Sequence, residues 1–327
     1  MYHFNEDNIP SNSSYKSIKV PKLFFGSIAS FFGFLYSSVH AILFCKYDLI
    51  NVHNIDCGFI LPILKLKYKV FSTLHGRPQL REKWGYFYKL FFNISEKFIL
   101  RLSNKIICVS YHQMEFYKDK YKMNNLSYIP NGINLNEEVA DQINFHQYGI
   151  KHKQYISFAA GRIIPSKGLN DLLKAYKFKS INKELLIIGQ MNEIKSYKQK
   201  IKLNLNNDLH FFSGFIKNKK DLLGLIKKSI LFIFPSHYEA MSMMLLEVAS
   251  IKTPIICSDI PENKILFNDN EVLYYKVNNH ADLNQKINWA INNYDEMQEK
   301  AENSYNKLID KYSWANISER YNKILIS

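Results

Sequence analysis

The stretch Leu231-Phe-Ile-Phe-Pro-Ser-His-Tyr-Glu-Ala-Met-Ser-Met-Met-Leu-Leu-Glu247 decides how the chain is read. Its first four residues are an apolar run of strand length, and Pro235-Ser236 ends it. Met243, Met244, Leu245, Leu246 and Glu247 then read as a helix. An open α/β sheet places ligands beyond the carboxyl ends of its strands. A helix N-terminus there presents free N–H groups and partial positive charge to an anion. Glu239 and Glu247 lie eight residues apart, one before the helix and one inside it. From there they could grip hydroxyls on either side of an anion. The same pair also reads as a solvated loop carboxylate and a surface helix carboxylate.

The alternation of strands and helices extends in both directions from this unit. Upstream, Tyr155-Ile-Ser-Phe-Ala-Ala160, Leu185-Leu-Ile-Ile-Gly189 and His210-Phe-Phe-Ser-Gly214 read as strands. Helices follow them at Leu169 to Tyr176, in a lysine-rich run to about Leu203, and at Lys219 to Lys228. Downstream, Pro254-Ile-Ile-Cys-Ser258 and Val272-Leu-Tyr-Tyr-Lys276 are strands, and helices at about Ala281 to Asn303 and Trp314 to Leu325 finish the chain. The first half repeats the alternation. Its strands are Asp48 to His53, Lys69 to Gly76, Lys105 to Ser110 and a closing run from Ser127. Its helices are Gly58 to Leu66, about Trp84 to Leu102, and Tyr111 to Tyr121. Such spacings imply parallel pairing through right-handed crossovers. The polar run Asn134 to His152 reads as a linker. The expected fold is α/β: two Rossmann-like doubly wound domains facing a cleft, which is the default ligand site. The expected divisions are 1–140, 141–305, and a C-terminal helix, 306–327, packing back toward the first domain.

A chain of 327 residues with 47% hydrophobic content accommodates two cores, and 22% charged residues do not suggest disorder. The net charge of +14 favours anionic partners: polyanions, anionic membrane surfaces or phosphorylated substrates. The lysines are scattered, and neither zinc-finger spacing nor an RNA-recognition signature occurs, so no nucleic-acid partner is expected. Cys45, Cys57, Cys108 and Cys257 form no C-x-x-C pair and read as reduced thiols of a cytoplasmic protein.

Leu23 to Cys45 contains no charged side chain and follows Lys16, Lys19 and Lys22. Phe24, Ile28, Phe31, Phe32, Leu35, Val39 and Ile42 fall at helical spacing, with Ser27, Ser30, Ser37 and Ser38 on another side. This pattern suits a buried helix of a soluble domain, or one that touches a membrane surface. By length alone it also admits membrane insertion.

Gly161-Arg162 … Lys167-Gly168 lies just after a strand and just before a helix. Two fixed cations at a sheet's carboxyl edge suit a diphosphate, which Arg grips with two prongs. They also read as two surface cations. With Glu239 and Glu247 they outline a sugar, a diphosphate and a ribose in a row, the form of a nucleotide sugar. The P-loop order is absent, and no G-x-G-x-x-G follows a strand, which counts against a nicotinamide dehydrogenase. His75 ends a strand before Gly76 and a basic loop, a position that can face a cleft, although histidine is also common in cores. His53 is a weaker candidate of the same kind. No G-x-S-x-G elbow, H-E-x-x-H or metal-spaced aspartate cluster occurs.

Gly161-Arg162 … Lys167-Gly168, the strand ending at Gly189, Ser213-Gly214-Phe215, Phe234-Pro-Ser236, Glu239-x7-Glu247 and Pro254-Ile-Ile-Cys-Ser258 come in the order seen in retaining glycosyltransferases of family 4. The chain resembles that family, whose architecture is GT-B. Thr73-Leu-His-Gly76, Arg81-Glu-Lys-Trp-Gly85, Val109-Ser110, Tyr128-Ile-Pro-Asn-Gly-Ile133 and Ser258-Asp-Ile-Pro-Glu-Asn263 are similar to the rhamnosyltransferase-like branch that builds bacterial surface polysaccharides such as lipopolysaccharide O-antigen and capsule. The resemblance implies a nucleotide-sugar donor, a saccharide or lipid-linked saccharide acceptor, and neither cofactor nor metal. It implies that Arg162 and Lys167 hold the diphosphate and that Glu239 touches the donor sugar. Backbone at Met241, Ser242 and Met243 would meet sugar or phosphate, and Glu247 the ribose. Gly189, Phe215 and Ile216 complete the donor side, with Phe215 and Ile216 near the base. On the acceptor side it implies His75, Gly76, Arg77 and Asn131, with His75 reaching the sugar across the cleft.

Two departures carry expectations. The branch begins with a strand, a glycine-rich loop and a second strand, and nothing of that kind precedes Tyr15-Lys-Ser-Ile-Lys-Val20. The chain is therefore expected to lack several tens of residues there, about the size of one βαβ unit. Arg77-Pro-Gln-Leu80 also differs from the usual run after His-Gly, so acceptor preference is expected to differ. The leading expectation is an enzyme at the inner face of a membrane. The alternative is an impaired or non-catalytic relative that binds nucleotide sugar.

Overall fold

The computed structural model describes residues 2–3, 17–21, 26–80, 84–151, 154–192, 194–206 and 208–326. The expectations placed on Lys16, Lys22, Leu23, Phe24 and Arg81-Glu-Lys83 lie outside them. The chain divides into two compact units, Met1–Ile129 and Pro130–Ser327.

In the first unit, β1 (Tyr2–His3) pairs in parallel with β2 (Ile18–Lys19), and α1 (Gly26–Phe44) follows. Then come β3 (Leu49–His53), a 3-10 turn at Gly58–Ile60 running into α2 (Leu61–Leu64), β4 (Lys69–Leu74), α3 (Tyr86–Leu102), β5 (Lys105–Cys108), α4 (Tyr111–Tyr121) and β6 (Leu126–Tyr128). The strands β3-β4-β5-β6 stand in chain order and pair in parallel. Val70, Leu74, Ile106, Cys108, Leu61 and Ile99 are buried between sheet and helices. Ser110 caps α4 by accepting from the Gln113 N–H, which satisfies one orphan donor of the first turn.

A buried carboxylate sits within this unit. Glu96 of α3 is 3% exposed. It accepts from Arg77 at 2.9 and 3.3 Å, from Gln79 at 2.8 Å and from the Tyr117 hydroxyl at 2.6 Å. The Arg77 guanidinium also lies 4.2 Å from the centre of the Phe116 ring. Four donor contacts and a cation make the charge tolerable in the interior.

Helix α1 packs the other way round from its expected apolar face. Ala29, Gly33, Ser38 and Ala41 are buried, whereas Ile28, Phe31, Phe32, Tyr36, Val39, Leu43 and Phe44 are exposed, Phe44 by 75%. Small residues let the helix approach the protein closely, and its buried hydroxyl needs no outside partner because Ser38 donates to the Leu35 carbonyl at 2.8 Å. The Tyr68 hydroxyl reaches the Ala41 and Cys45 carbonyls at 2.7 Å, and Lys67 reaches those of Ile42 and Cys45, which satisfies the helix end. Among the described residues no helix is long and apolar enough to cross a membrane.

The second unit contains β7 (Tyr155–Arg162), α5 (Leu169–Tyr176), β8 (Glu184–Gln190), α6 (Lys195–Asn204), β9 (His210–Gly214), α7 (Lys219–Lys227), β10 (Leu231–Phe234), α8 (Met243–Ser250) and β11 (Ile255–Ser258). It ends with α9 (Pro261–Leu266), β12 (Leu273–Tyr275), α10 (His280–Asn292), α11 (Tyr294–Lys311) and α12 (Trp314–Ile326). Its parallel sheet has the order β12-β11-β10-β7-β8-β9. Alternate residues feed two cores. Tyr155, Ala159, Phe232, Phe234 and Cys257 belong to one, and Ile156, Phe158, Leu231, Ile233 and Ile256 to the other. That is why these strands read as unbroken apolar runs. The expected single helix over Ala281 to Asn303 is two helices, broken at Asn293. The short α9, which opens on a proline at its first turn, was not expected.

Two measurements test this packing. Arg77→Met leaves Glu96 without its cation, and unfolding by urea should show a loss of about 3 kcal/mol, partly recovered by Glu96→Gln in the same chain. His210 is buried, with Nδ1 accepting from the Asn206 N–H at 2.9 Å and Nε2 unpartnered, and burial holds its pKa down to about 4. The unfolded chain takes up that proton near pH 6.5 and the folded one near pH 4. Stability is therefore complete above pH 6.5 and falls by up to about 3 kcal/mol as pH drops to 4. Thermal melts of His210→Gln should show a smaller drop between pH 7 and pH 4.5 than the parent chain.

Candidate active site

Chain direction across the second sheet reverses between β7 and β10, its two central neighbours: β8 and β9 extend one side, β11 and β12 the other. Loops leaving the carboxyl ends of these two strands therefore part and leave a crevice. Arg162, at the end of β7, and Lys167, in the following one-turn 3-10 helix, stand on one loop. Pro235 to Ser242 form the other.

The two loops are tied together. Gly168 has φ +71°, and a Cβ there would lie 1.8 Å from the Pro235 carbonyl oxygen. Only glycine suits both the left-handed backbone and the close approach. The His237 N–H donates to the Ser166 carbonyl at 2.8 Å, and its Nε2 lies 2.8 Å from Oδ2 of Asp171 on α5. This junction brings Lys167 Nζ to 2.5 Å from Glu239 Oε1, with both side chains largely shielded. The Arg162 side chain is exposed at the strand end. Gly189, with φ +147°, comes equally close: its Cβ would meet the Ala160 carbonyl at 2.0 Å.

Helix α8 begins at Met243 beside this junction. Ser242, 2% exposed, does not cap it but donates to Asn263 Oδ1 at 3.0 Å, and Asn263 Nδ2 donates to the Ser258 carbonyl at 3.0 Å. Asn263 thus locks the start of α8 to the end of β11. The Met243 N–H is engaged by the Met241 carbonyl at 3.1 Å, and Met241 Sδ lies 3.1 Å from the Asn131 N–H. Glu247, inside α8, is 3.0 Å from Lys219 at the start of α7, which also meets Glu137 at 2.8 Å. Phe215 is exposed by 60% and Ile216 packs on the core, just after Gly214 (φ +75°).

The structure therefore joins Lys167 to Glu239 across the β7 and β10 loops of the second unit, with Arg162 at the end of β7 and the Met241 to Met243 backbone leading into α8, while Glu247, one turn into α8, meets Lys219. Asn131, placed by sequence on the acceptor side, belongs to this unit too. His75 and Gly76 (φ +117°) stand in the first unit at the end of β4. His75 Nε2 is 3.1 Å from His53 Nδ1, and the rings stack with centres 5.5 Å apart. Burial lowers the pKa of both, and charge on His53 adds to the lowering at His75. The Arg77 guanidinium is held by Glu96, as described above.

Lys219, His237, Asp171 and Asn263 escaped the sequence reading. Lys219 and Glu137 are 82 residues apart, so spacing carries no signal. Asn263 was visible inside Ser258-Asp-Ile-Pro-Glu-Asn263, though not its role. The four cysteines are unbridged, three of them buried. Among the described residues no three His, Cys, Asp or Glu side chains are grouped to hold a metal ion.

Residues 140–307 match the family model of the glycosyl transferases group 1, and residues 5–137 match that of Glycosyltransferase Family 4. The chain is 27% identical over 303 residues to the UDP-Gal:alpha-D-GlcNAc-diphosphoundecaprenol alpha-1,3-galactosyltransferase of Escherichia coli, covering 85% of this chain and 74% of that protein. It is 22% identical over 173 residues to the capsular polysaccharide biosynthesis glycosyltransferase CapM of Staphylococcus aureus, covering 50% of this chain and 45% of the relative. The solved structure of Anabaena HepE in complex with UDP-glucose superposes with a TM-score of 0.75 at 13% identity, over 94% of this chain and 85% of that one, and bears on the fold alone. Two parallel-sheet Rossmann-like units and both family matches lead to one conclusion: the chain belongs to the glycosyl transferases group 1, with the GT-B fold.

Proposed function

We propose that this chain moves a sugar, with retention, from a nucleotide-sugar donor to a saccharide carried on a lipid diphosphate, in the synthesis of a bacterial surface polysaccharide. The observation that carries this reading is the β7/β10 crevice, where Lys167 and Glu239 are 2.5 Å apart beside Arg162 and the N-terminus of α8. The acceptor class is supported by the Escherichia coli relative, whose name specifies a diphosphoundecaprenol-linked sugar.

In this reading Arg162 and Lys167 hold the donor diphosphate and Glu239 the sugar hydroxyls. Glu247 takes the ribose, Phe215 and Ile216 flank the base, and His75 meets the sugar. Breaking the bond to the sugar leaves negative charge on the diphosphate, and two cations with a helix N-terminus stabilise it as it develops. The acceptor hydroxyl attacks from the face the leaving group departs, and the departing phosphate takes its proton. No protein base is then needed.

Lys167 is already paired, so diphosphate binding exchanges one anionic partner for another. This gives Glu239→Gln two effects of opposite sign. Affinity for the nucleotide diphosphate alone should hold or rise, because Lys167 loses its competing carboxylate. The added affinity contributed by the sugar should fall about tenfold to a hundredfold, the worth of a charged hydrogen bond. A screen of nucleotide sugars by thermal shift, followed by titration, measures both. Equal loss for nucleotide and nucleotide sugar, or competition by duplex DNA, overturns the reading.

We place the enzyme at the inner membrane surface through its first unit. There α1 exposes its large apolar side chains, and an apolar groove of about 540 Å³ is lined by Phe31, Phe59, Trp84, Phe87, Tyr88 and Phe91. The +14 charge adds attraction to anionic lipid. Phe44→Ser and Phe87→Ser change side chains exposed by 75% and 83%, so folding is preserved. Each should weaken co-sedimentation with anionic vesicles about tenfold, the worth of burying one Phe. Unchanged binding would sink the membrane assignment.

A further inference from the structure

The end of the first sheet carries a polar ladder. Asn51 and His53 are alternate residues of β3, Thr73 and His75 stand two apart at the end of β4, and His53 pairs in register with Thr73. The pleat therefore brings all four side chains to one face. Asn51 Nδ2 lies 3.2 Å from His53 Nε2, and His53 Nδ1 lies 3.1 Å from His75 Nε2. Thr73 Oγ1 is 3.1 Å from both polar atoms of the Asn51 amide, accepting from Nδ2 and donating to Oδ1. The backbone after His53 is pinned as well. The Cys57 thiol donates to the His53 carbonyl at 2.9 Å, and the Asn54 N–H donates to the Thr73 carbonyl at 2.9 Å.

A neutral imidazole has one donor nitrogen and one acceptor, and the partner of one fixes the role of the other. With its Nδ2 turned toward the ring, the Asn51 amide donates and His53 Nε2 accepts. His53 then carries its proton on Nδ1 and donates it to His75 Nε2. His75 in turn must carry its own proton on Nδ1. The opposite arrangement would face an N–H of His53 with the NH2 of Asn51, two donors head-on. Burial lowers the pKa of both rings, which keeps the chain of neutral tautomers populated near pH 7.

We propose that Asn51 and His53 are positioning residues that fix the neutral tautomer of His75, leaving its Nδ1–H as the donor offered to a sugar hydroxyl. The use made of that donor rests on the assignment of His75 to the donor sugar; the tautomer itself does not. His53, the weaker of the two strand-end histidines by sequence, acquires a role through its neighbour.

Nitrogen NMR of the full chain labelled with 15N-histidine reads the tautomer directly, with His75→Gln supplying the assignment. In the parent chain His75 should show a protonated Nδ1 and an unprotonated Nε2. Asn51→Asp replaces the donor with a carboxylate, which accepts from His53 Nε2–H. Read at a pH above the raised pKa this gives His53, where the ring is neutral, the relay reverses and His75 moves its proton to Nε2. Should that variant not fold, Asn51→Ser removes the amide donor and should leave His75 in a mixture of tautomers. A protonated Nε2 in the parent chain, or an unaltered pattern in the folded Asn51 variant, overturns the proposal. Titration with UDP-galactose and with UDP separates the underlying reading. Asn51→Asp should cut the affinity for UDP-galactose about fivefold and leave that for UDP unchanged, the worth of one neutral hydrogen bond. If His75→Gln leaves both affinities unchanged while the tautomer reverses as stated, the assignment of His75 to the donor falls and the relay stands.

Discussion

Everything at the candidate site hangs on the approach of two backbones at Gly168. The loop from β7 passes so close to the end of β10 that a Cβ would sit 1.8 Å from the Pro235 carbonyl oxygen. No rotamer relieves such a clash, because the obstructing atom is main chain. The approach sets the distance between a loop that carries cations and a loop that carries carboxylates. The Ser166–His237 hydrogen bond and the His237–Asp171 contact then hold it from both sides. Lys167 and Glu239 meet as a consequence of this geometry. Holding two partly desolvated charges together is favourable only where their positions are fixed beforehand. Under the proposed function, a diphosphate entering the crevice would meet a lysine already aligned and with little conformational entropy left to lose.

The second sheet was legible because its strands are buried on both faces. Leu231–Phe234 and Ile255–Ser258 have no polar alternation to confuse with a helix, and short apolar runs bounded by turns leave few other readings. What escaped was either too short for periodicity or too distant for spacing. The six residues of α9 make less than two turns of pattern. Asn293 interrupts a run that stays amphipathic on both sides of it, so the break depends on capping geometry rather than on hydrophobicity. Lys219 reaches Glu247 and Glu137 only after the sheet has formed. The carboxylates Glu239 and Glu247 could be picked out; the cation that sits between Glu247 and Glu137 could not.

Helix α1 shows where an amphipathic pattern misleads. The pattern identifies a face with large apolar side chains, and burial of that face is the usual inference. Here close packing decides instead. Ala29, Gly33 and Ala41 let the helix axis approach its neighbours, and the bulky side chains take the outer side. The exposed rings are not scattered, since Phe31 stacks on Phe59 at 4.5 Å between ring centres and both border the groove beside α3. Isolated exposed apolar residues need no explanation, but a contiguous aromatic surface does. Under the proposed membrane assignment, an interfacial surface would account for both the inverted packing and the exposed rings.

The same contrast between fixed charge and neutral polarity separates the two units. In the second unit, Lys167 stands against Glu239 and Lys219 against Glu247, opposite charges set in pairs. At the strand ends of the first, desolvation lowers the basicity of His53 and His75, which favours their neutral forms. A charged histidine would itself attract an anion. A neutral one offers hydrogen bonds and no net charge. Discrimination among sugars depends on matching hydroxyls one by one, and an unmatched buried donor costs more than a matched one contributes. Under the proposed function, a strand end with a fixed tautomer would suit the selection of a sugar, and a crevice of paired charges the holding of a diphosphate. The division follows from the β3–β4 register on one side and from Gly168 on the other.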